Sequence, residues 1–276
     1  MITHQDFDLQ VPAGRLHARR FGAETGRLVL GIPGLSANLV SMSAVAEAVP
    51  MVALDLRGRG LSETTPPGSY GWDAHAADVL AAAGELGAPR FGIVGWSMGA
   101  FVAMAAAAQA PERIERVALI DALGEVDRTV VNLIQMSVNR LDAVYPSLES
   151  YLELARATGL IAPWDPLWDE YFAYELRPVA GGVSSRTNKA AVSEDFAHGD
   201  THDPAAYWPA LKMPVLVLRA KRPMLEAVGG HVIDPALLER FRAAVPHAEV
   251  REIDANHYSI GTHADTRAAL REFFGS

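Results

Sequence analysis

The stretch Phe91-Gly92-Ile93-Val94-Gly95-Trp96-Ser97-Met98-Gly99 places a serine where an apolar run meets an alanine-rich segment. Residues 91–94 are typical of a buried parallel strand, and residues 100–109 consist mainly of good helix formers. Between them, residues 95–99 have the pattern Gly-x-Ser-x-Gly, which presents a strained serine in a sharp strand-to-helix turn. The glycines are needed because larger side chains would collide with the adjacent strand and helix. The sequence therefore predicts Ser97 as a nucleophile.

Apolar runs and helical patterns alternate on both sides of this stretch. A pair of strands joined by a turn at Pro12-Ala13-Gly14 precedes the alternation. Such alternation predicts a mostly parallel, doubly wound sheet with helices on both faces and a site at the carboxyl ends of its strands. Further strands are predicted over residues 28–32, 51–54, 117–120, 215–218 and 248–253, and helices over residues 41–48, 72–86, 235–244 and 264–274.

The alternation is interrupted between residues 124 and 208. Prolines break this segment into helical pieces, at Pro146, Pro163, Pro166 and Pro178. We expect an α/β core formed by residues 1–123 and 209–276, with residues 124–208 inserted as a helical cap over the site.

A serine hydroxyl needs a base to accept its proton, and the base needs a carboxylate to orient it. Here the chain resembles the α/β-hydrolase fold family, in which the order is serine, acid, histidine and a cap is inserted into the core. The family's histidine follows the last strand, and the matching stretch is Ala255-Asn256-His257-Tyr258. The resemblance implies that His257 is the base. His247 and His263 are weaker candidates because of their positions.

The acid departs from the commonest family pattern. It usually follows the strand predicted here over residues 215–218, but that strand continues into Arg219-Ala220-Lys221-Arg222-Pro223, which contains no carboxylate. Asp121 follows the strand over residues 117–120, where some haloalkane dehalogenases and fungal zearalenone lactonases carry their acid. We therefore expect Asp121 to be the acid. The alternatives are Glu226, Glu125 and Asp234, the last of which also fits a helix N-cap before Pro235.

The resemblance also implies an oxyanion hole made of two backbone N–H groups. Met98, which follows the nucleophile, supplies one. The stretch Ile32-Pro33-Gly34-Leu35-Ser36 stands where the family usually shows His-Gly-x, so Leu35 supplies the other. The stretch Asp55-Leu56-Arg57-Gly58-Arg59-Gly60-Leu61-Ser62 also matches a family signature, which we interpret as a structural loop.

The inserted segment is rich in aromatic residues, which are expected to line an apolar pocket. The predicted substrate-binding residues are Trp96, Trp164, Trp168, Tyr171 and Tyr258. They favour a serine hydrolase of a hydrophobic ester or lactone, including a zearalenone-like macrolactone, acting through an acyl-enzyme. Two alternatives stay open. One is a carbon–carbon bond hydrolase of carboxylated ring-cleavage products, and the other is a small-molecule receptor that retains the triad.

Carbon–carbon bond hydrolases of this fold usually hold the substrate carboxylate with a basic or polar side chain. The candidates for this anchor are Arg140, Arg156, Arg177 and Arg186.

Composition excludes several other classes. The net charge is −9 and there is no Lys/Arg cluster, which argues against nucleic acid and anionic membrane as partners. There is no cysteine, and the stretch His198-Gly199-Asp200-Thr201-His202-Asp203 lacks the spacing of a metal site. No cofactor, including NAD or ATP, is indicated. The N-terminus lacks a signal-peptide pattern, so a cytoplasmic protein is expected, and the oligomeric state stays open.

Overall fold

The computed structural model describes residues 2–23 and 26–275. Residues 1, 24, 25 and 276, which belong to the predicted core, lie outside these ranges. The strands are β1 (His4–Val11), β2 (Gly14–Phe21), β3 (Val29–Ile32), β4 (Met51–Leu54), β5 (Phe91–Trp96), β6 (Ile114–Ile120), β7 (Leu176–Val179), β8 (Gly182–Ser185), β9 (Val215–Ala220) and β10 (Glu249–Ile253).

Eight of these strands form one sheet in the order β1-β2-β4-β3-β5-β6-β9-β10. The hairpin β1–β2 is antiparallel and pairs with β4 through an antiparallel β2–β4 contact. The remaining pairs of this sheet, β4–β3, β3–β5, β5–β6, β6–β9 and β9–β10, are parallel. The strands β3, β4, β5 and β9 are buried along their whole length. Continuous apolar runs behave in this way when helices cover both faces of a parallel sheet.

The helices are α1 (Ser43–Ala46), α2 (Trp72–Glu85), α3 (Met98–Gln109), α4 (Arg128–Asn139), α5 (Leu148–Ala157), α6 (Leu167–Glu175), α7 (Lys189–His198), α8 (Pro235–Ala244) and α9 (Ala264–Gly275). The helices α2, α3 and α8 share one apolar core cluster with the sheet, and α1 and α9 share the other. Helices therefore cover both faces, which confirms the predicted doubly wound α/β-hydrolase architecture.

Two predictions differ from the structure in the kind of element, namely the helix over residues 41–48 and the wholly helical segment over residues 124–208. The helix expected over residues 41–48 is a 3₁₀ turn, Leu39–Met42, followed by the short helix α1. The turn begins early because the side chain of Asn38 caps it by accepting a hydrogen bond from Val40 N.

The segment of residues 124–208, termed the insertion below, is not wholly helical. It contains α4 to α7 and also the antiparallel hairpin β7–β8. Gly181 and Gly182 turn this hairpin with φ of 88° and 145°, which favours glycine. A Cβ on Gly182 would lie 1.9 Å from Tyr145 O, so the hairpin also packs closely against the backbone before α5.

Among the helices that the structure describes, none is long and apolar enough to cross a membrane.

Candidate active site

Ser97 occupies the turn between β5 and α3, with φ 57° and ψ −127°. This left-handed conformation is uncommon for a residue with a side chain. The flanking glycines allow it, because a Cβ on Gly95 would lie 2.2 Å from Gly99 O and a Cβ on Gly99 would lie 2.1 Å from Ile32 O. The turn therefore needs glycine at both positions, and it presents Ser97 at the carboxyl end of β5.

His257 lies within hydrogen-bond distance of both predicted partners. Its Nε2 is 3.0 Å from Ser97 Oγ, and its Nδ1 is 2.8 Å from Asp121 Oδ2. The backbone of His257, in the loop after β10, is tied to β5, because Trp96 Nε1 donates to His257 O at 3.2 Å. Asn256 Oδ1 accepts from the backbone N–H of Tyr258, which stabilises the same turn. The structure thus brings together the three residues proposed as the triad.

Asp121 directly follows β6, is 1% exposed and has φ 50°. Its second oxygen, Oδ1, accepts from Ala220 N at 2.9 Å, so the end of β9 supplies a backbone donor to the carboxylate. Asp234 instead caps α8 by accepting from Leu237 N at 2.8 Å, as expected for an N-cap. The other two candidate acids, Glu125 and Glu226, are exposed.

The loop after β3 lies against the nucleophile. A Cβ on Gly34 would lie 3.2 Å from Ser97 Cβ, so the chain approaches Ser97 closely at this point. The backbone N–H groups of Leu35 and Met98 donate to no acceptor in the part of the chain that the structure describes. Two unused donors beside Ser97 fit the proposed oxyanion hole.

A cavity of about 170 Å³ opens above Ser97 and His257. Of the predicted substrate-binding residues, Trp96, Trp168, Tyr171 and Tyr258 line it. Trp164 does not line it, which corrects that prediction. Its ring stacks on Phe172 with centroids 6.1 Å apart and lies under the Arg156 guanidinium, so it packs within the insertion. Lining residues that the sequence did not single out include Ile134, Ser137, Val138, Thr158 and Met224.

Arg140 is the only cationic side chain among the residues that line this cavity. Its Nη1 donates to Tyr151 OH and to Glu175 Oε1, both at 2.6 Å, and its Nη2 lies 3.4 Å from Glu175 Oε2. Burial alone would lower the pKa of Arg140, but the Glu175 carboxylate and the nearby tyrosines raise it above its ordinary value. Arg140 is therefore a permanent cation within the cavity.

The other arginines considered from the sequence lie elsewhere. Arg156 is at the surface and pairs with Asp169. Arg177 and Arg186 line a second, polar cavity beside the hairpin β7–β8. Of these four arginines, all within the described ranges, only Arg140 lines the cavity that contains Ser97.

The histidine-rich stretch of residues 198–203, which begins at the last residue of α7, does not form a metal cluster in the described structure. The rings of His198 and His202 stack with centroids 3.7 Å apart. Across the described ranges, no group of three or more His, Cys, Asp or Glu side chains is placed to hold a metal ion.

The whole chain resembles known proteins. A model of the alpha/beta hydrolase fold matches residues 28–264. N-formylmaleamate deformylase of Pseudomonas putida is 30% identical over 246 residues, which cover 87% of this chain and 84% of that protein. 2-(Acetamidomethylene)succinate hydrolase of Mesorhizobium japonicum is 25% identical over 216 residues, or 77% of each chain.

A crystal structure of E-2-(acetamidomethylene)succinate hydrolase matches 99% of this chain and 100% of its own, with a TM-score of 0.87 and 21% identity. At that identity the structural likeness shows the fold alone. The family match and the named relatives together support a hydrolase. On this sequence and structural evidence, the chain belongs to the α/β-hydrolase fold family.

Proposed function

We propose that this chain hydrolyses a small carbonyl compound that carries a carboxylate, through an acyl-enzyme on Ser97. This corresponds to the alternative of carboxylated ring-cleavage products rather than to the apolar ester or lactone expected from the aromatic residues. The observation that carries the choice is the placement of Arg140 in the cavity above Ser97 and His257.

The free donors of Arg140 fit a carboxylate. Guanidinium has five N–H groups. Nη1 uses both of its hydrogens on Tyr151 and Glu175, and Nη2 uses one on Glu175. The Nε–H and the second Nη2–H lie along the other edge of the group, and such an edge binds a carboxylate with two parallel hydrogen bonds. The Arg140 side chain is 22% exposed, whereas the Glu175 side chain that occupies its opposite edge is fully buried.

The names of the relatives agree with this choice. N-formylmaleamate and 2-(acetamidomethylene)succinate are both named as carboxylates that bear an acyl group on nitrogen. They favour a carboxylated substrate over a neutral lactone. They also give the acyl–nitrogen bond as a second candidate for the bond that is cleaved, beside the carbon–carbon bond.

The proposed mechanism follows from the distances. His257 Nε2 takes the proton of Ser97 Oγ as this oxygen attacks the substrate carbonyl carbon, and Asp121 stabilises the imidazolium that forms. The N–H groups of Leu35 and Met98 donate to the oxyanion. The tetrahedral intermediate expels the leaving group, which receives the proton from His257. Water, activated by His257, then attacks the acyl-enzyme and releases the acid and free Ser97.

A matched pair of substrates tests the proposal. We expect kcat/KM for an N-formyl carboxylate such as N-formylmaleamate, or for a vinylogous 1,5-diketone acid, to exceed that for its own methyl ester at least about tenfold. A charge-assisted pair of hydrogen bonds contributes about 1.5–3 kcal/mol, which corresponds to about that factor or more. A resorcylic macrolactone or an aryl ester that is cleaved faster than both acids would overturn the proposal in favour of the apolar ester or lactone. Tight binding of any of these compounds with no turnover would favour a receptor.

A further inference from the structure

A buried ionic cluster joins the insertion to the loop after β3. The cluster consists of Arg59, in the loop after β4, His75, on α2, and Asp195, on α7. The side chains of all three are fully buried. Arg59 Nη2 pairs with Asp195 Oδ2 at 2.5 Å, and His75 Nε2 lies 2.8 Å from the same oxygen. Desolvating an ion pair costs free energy, which is recovered only when the pair has good geometry and its remaining donors and acceptors form hydrogen bonds. The other hydrogen bonds of this cluster indicate what it holds in place.

The guanidinium of Arg59 also contacts the loop that carries Leu35, one of the two proposed oxyanion donors. Its Nε donates to Leu35 O at 3.0 Å, and its Nη1 donates to the backbone carbonyl of Arg57 at 2.9 Å. Leu35 lies in a tight turn that is closed by a hydrogen bond from Ala37 N to Gly34 O at 3.1 Å. Arg59 therefore holds the carbonyl of Leu35, the residue whose N–H is the proposed oxyanion donor.

Asp195 fixes the direction of this contact. Its Oδ1 accepts from Gly71 N at 2.6 Å, while Oδ2 accepts from Arg59, so the carboxylate cannot rotate without losing one of them. The planar guanidinium then has only one orientation in which Nη2 meets Asp195 and Nε meets Leu35.

We propose that Arg59 and Asp195 are positioning residues that hold the Leu35 N–H in the orientation in which it donates to the oxyanion. Because Asp195 lies on α7, the insertion thereby controls the rate of acylation. The inference rests on the proposed function, because it takes Ser97 as the nucleophile and Leu35 N as an oxyanion donor. The donor acts only in the transition state, so the cluster affects kcat rather than ground-state binding. Loss of one such donor lowers kcat by a factor of about 10²–10³, and a misplaced donor is expected to lower kcat by a smaller factor.

The same region supplies a matched control pair. Arg57 and Asp78 form a buried ion pair at 2.7 Å, with side chains 7% and 3% exposed. The other side-chain contacts of Arg57 are with the carbonyls of Ser69 and Ala74, at 2.7 and 3.2 Å, and none is with Leu35. Substitutions in this pair disturb the side chains of an ion pair of similar burial, while the backbone carbonyl of Arg57, which accepts from Arg59, is kept.

The test compares Arg59→Lys and Asp195→Asn with Arg57→Lys and Asp78→Asn. The measurements are the rate constant for phosphonylation of Ser97 by a fluorophosphonate, kcat and KM with 4-nitrophenyl acetate, and Tm. We expect both cluster variants to lose at least about tenfold in the phosphonylation rate and in kcat while KM changes less than about twofold. The control variants are expected to keep both rates within about twofold of the wild-type values, even where their Tm falls as much as that of the cluster variants.

Each outcome separates the two proposals. A wild-type protein that does not react at Ser97 overturns the proposed function and this inference with it. A wild-type protein that reacts, with cluster variants that react equally fast, overturns this inference alone, and so do control variants that lose as much rate as the cluster variants. Asp195→Asn keeps the shape of the side chain, so it carries the comparison if Arg59→Lys does not fold.

Discussion

Asp121 Oδ2 lies 2.8 Å from His257 Nδ1, while the other oxygen of the same carboxylate accepts from Ala220 N at 2.9 Å. The carboxylate is therefore held between the end of β6, which carries it, and the end of β9. The backbone supports this placement, because Asp121 N donates to Leu218 O at 2.8 Å. An acid that is buried and fixed at both oxygens is suited to orient an imidazole.

The first prediction concerns this acid. Asp121→Asn is expected to lower kcat by about 10³-fold or more, because an amide cannot stabilise the imidazolium and favours the wrong tautomer. Steady-state kinetics checks the value. Glu226→Gln serves as the exposed control and should retain wild-type kcat. Asp234→Asn, at the N-cap of α8, should change kcat little. If Glu226→Gln were the inactive variant, the acid would have been assigned to the wrong strand end.

The second prediction concerns the nucleophile. A fluorophosphonate is expected to add once per chain, at Ser97, because this hydroxyl lies 3.0 Å from His257 Nε2. Mass spectrometry of the intact protein and of its peptides measures both the number and the place of the adducts. Ser97→Ala should not react, whereas Ser36→Ala, which removes another hydroxyl of the cavity lining, should still react once. Equal labelling of Ser97→Ala would contradict the assignment.

The core could be predicted because its patterns are local. The apolar runs at β4 and β9 give the starts of these strands, since a buried parallel strand shows an uninterrupted run. The helix α8 has the bounds that were predicted, because Asp234 caps it and Pro235 occupies its first turn. The order of such elements then fixes where Ser97 lies in the sheet.

The insertion could not be predicted to the same depth. In the hairpin β7–β8 only the end residues Leu176 and Ser185 are buried, so no alternation of buried and exposed residues marks the strands. The choice of Arg140 among four arginines, and the contact of Arg59 with Asp195, depend on packing between distant segments. Such pairs leave no periodic signal in one sequence. The sequence predicts a structural loop around Arg59, but no pattern within it predicts the hydrogen bond from Arg59 to Leu35 O.

The third prediction is that the protein loses stability in acid through the buried cluster. Burial lowers the pKa of His75 below its ordinary value, so the folded protein keeps this ring neutral. Burial alone would raise the pKa of Asp195, but the hydrogen bond with His75 and the charge of Arg59 lower it to about 2. The unfolded chain binds more protons at both groups. The free energy of unfolding therefore falls as pH drops below about 6.5 for His75 and falls further below about 4 for Asp195.

Thermal unfolding between about pH 7.5 and about pH 5 tests the histidine part of this prediction. Tm of the wild-type protein is expected to fall by at least about 2 °C over this range, and the fall should be smaller in His75→Gln, which keeps a donor but does not titrate. His4→Gln, at an exposed position of β1, is the control and should show the wild-type dependence. An identical pH dependence in His75→Gln would remove His75 as the cause.

The last prediction concerns substrate charge. Arg140→Lys keeps a positive charge but loses the free Nε–H and Nη2–H edge that is proposed to bind a carboxylate. We expect kcat/KM for the carboxylated substrate to fall at least about tenfold, and kcat/KM for its methyl ester to change less than about threefold, because the neutral ester does not use the edge. The matched control is Arg156→Lys, whose guanidinium pairs with Asp169 at the surface of the insertion and should leave both values unchanged. Equal losses on the acid and on its ester would mean that Arg140 supports the fold of the cavity, through Tyr151 and Glu175, rather than the substrate.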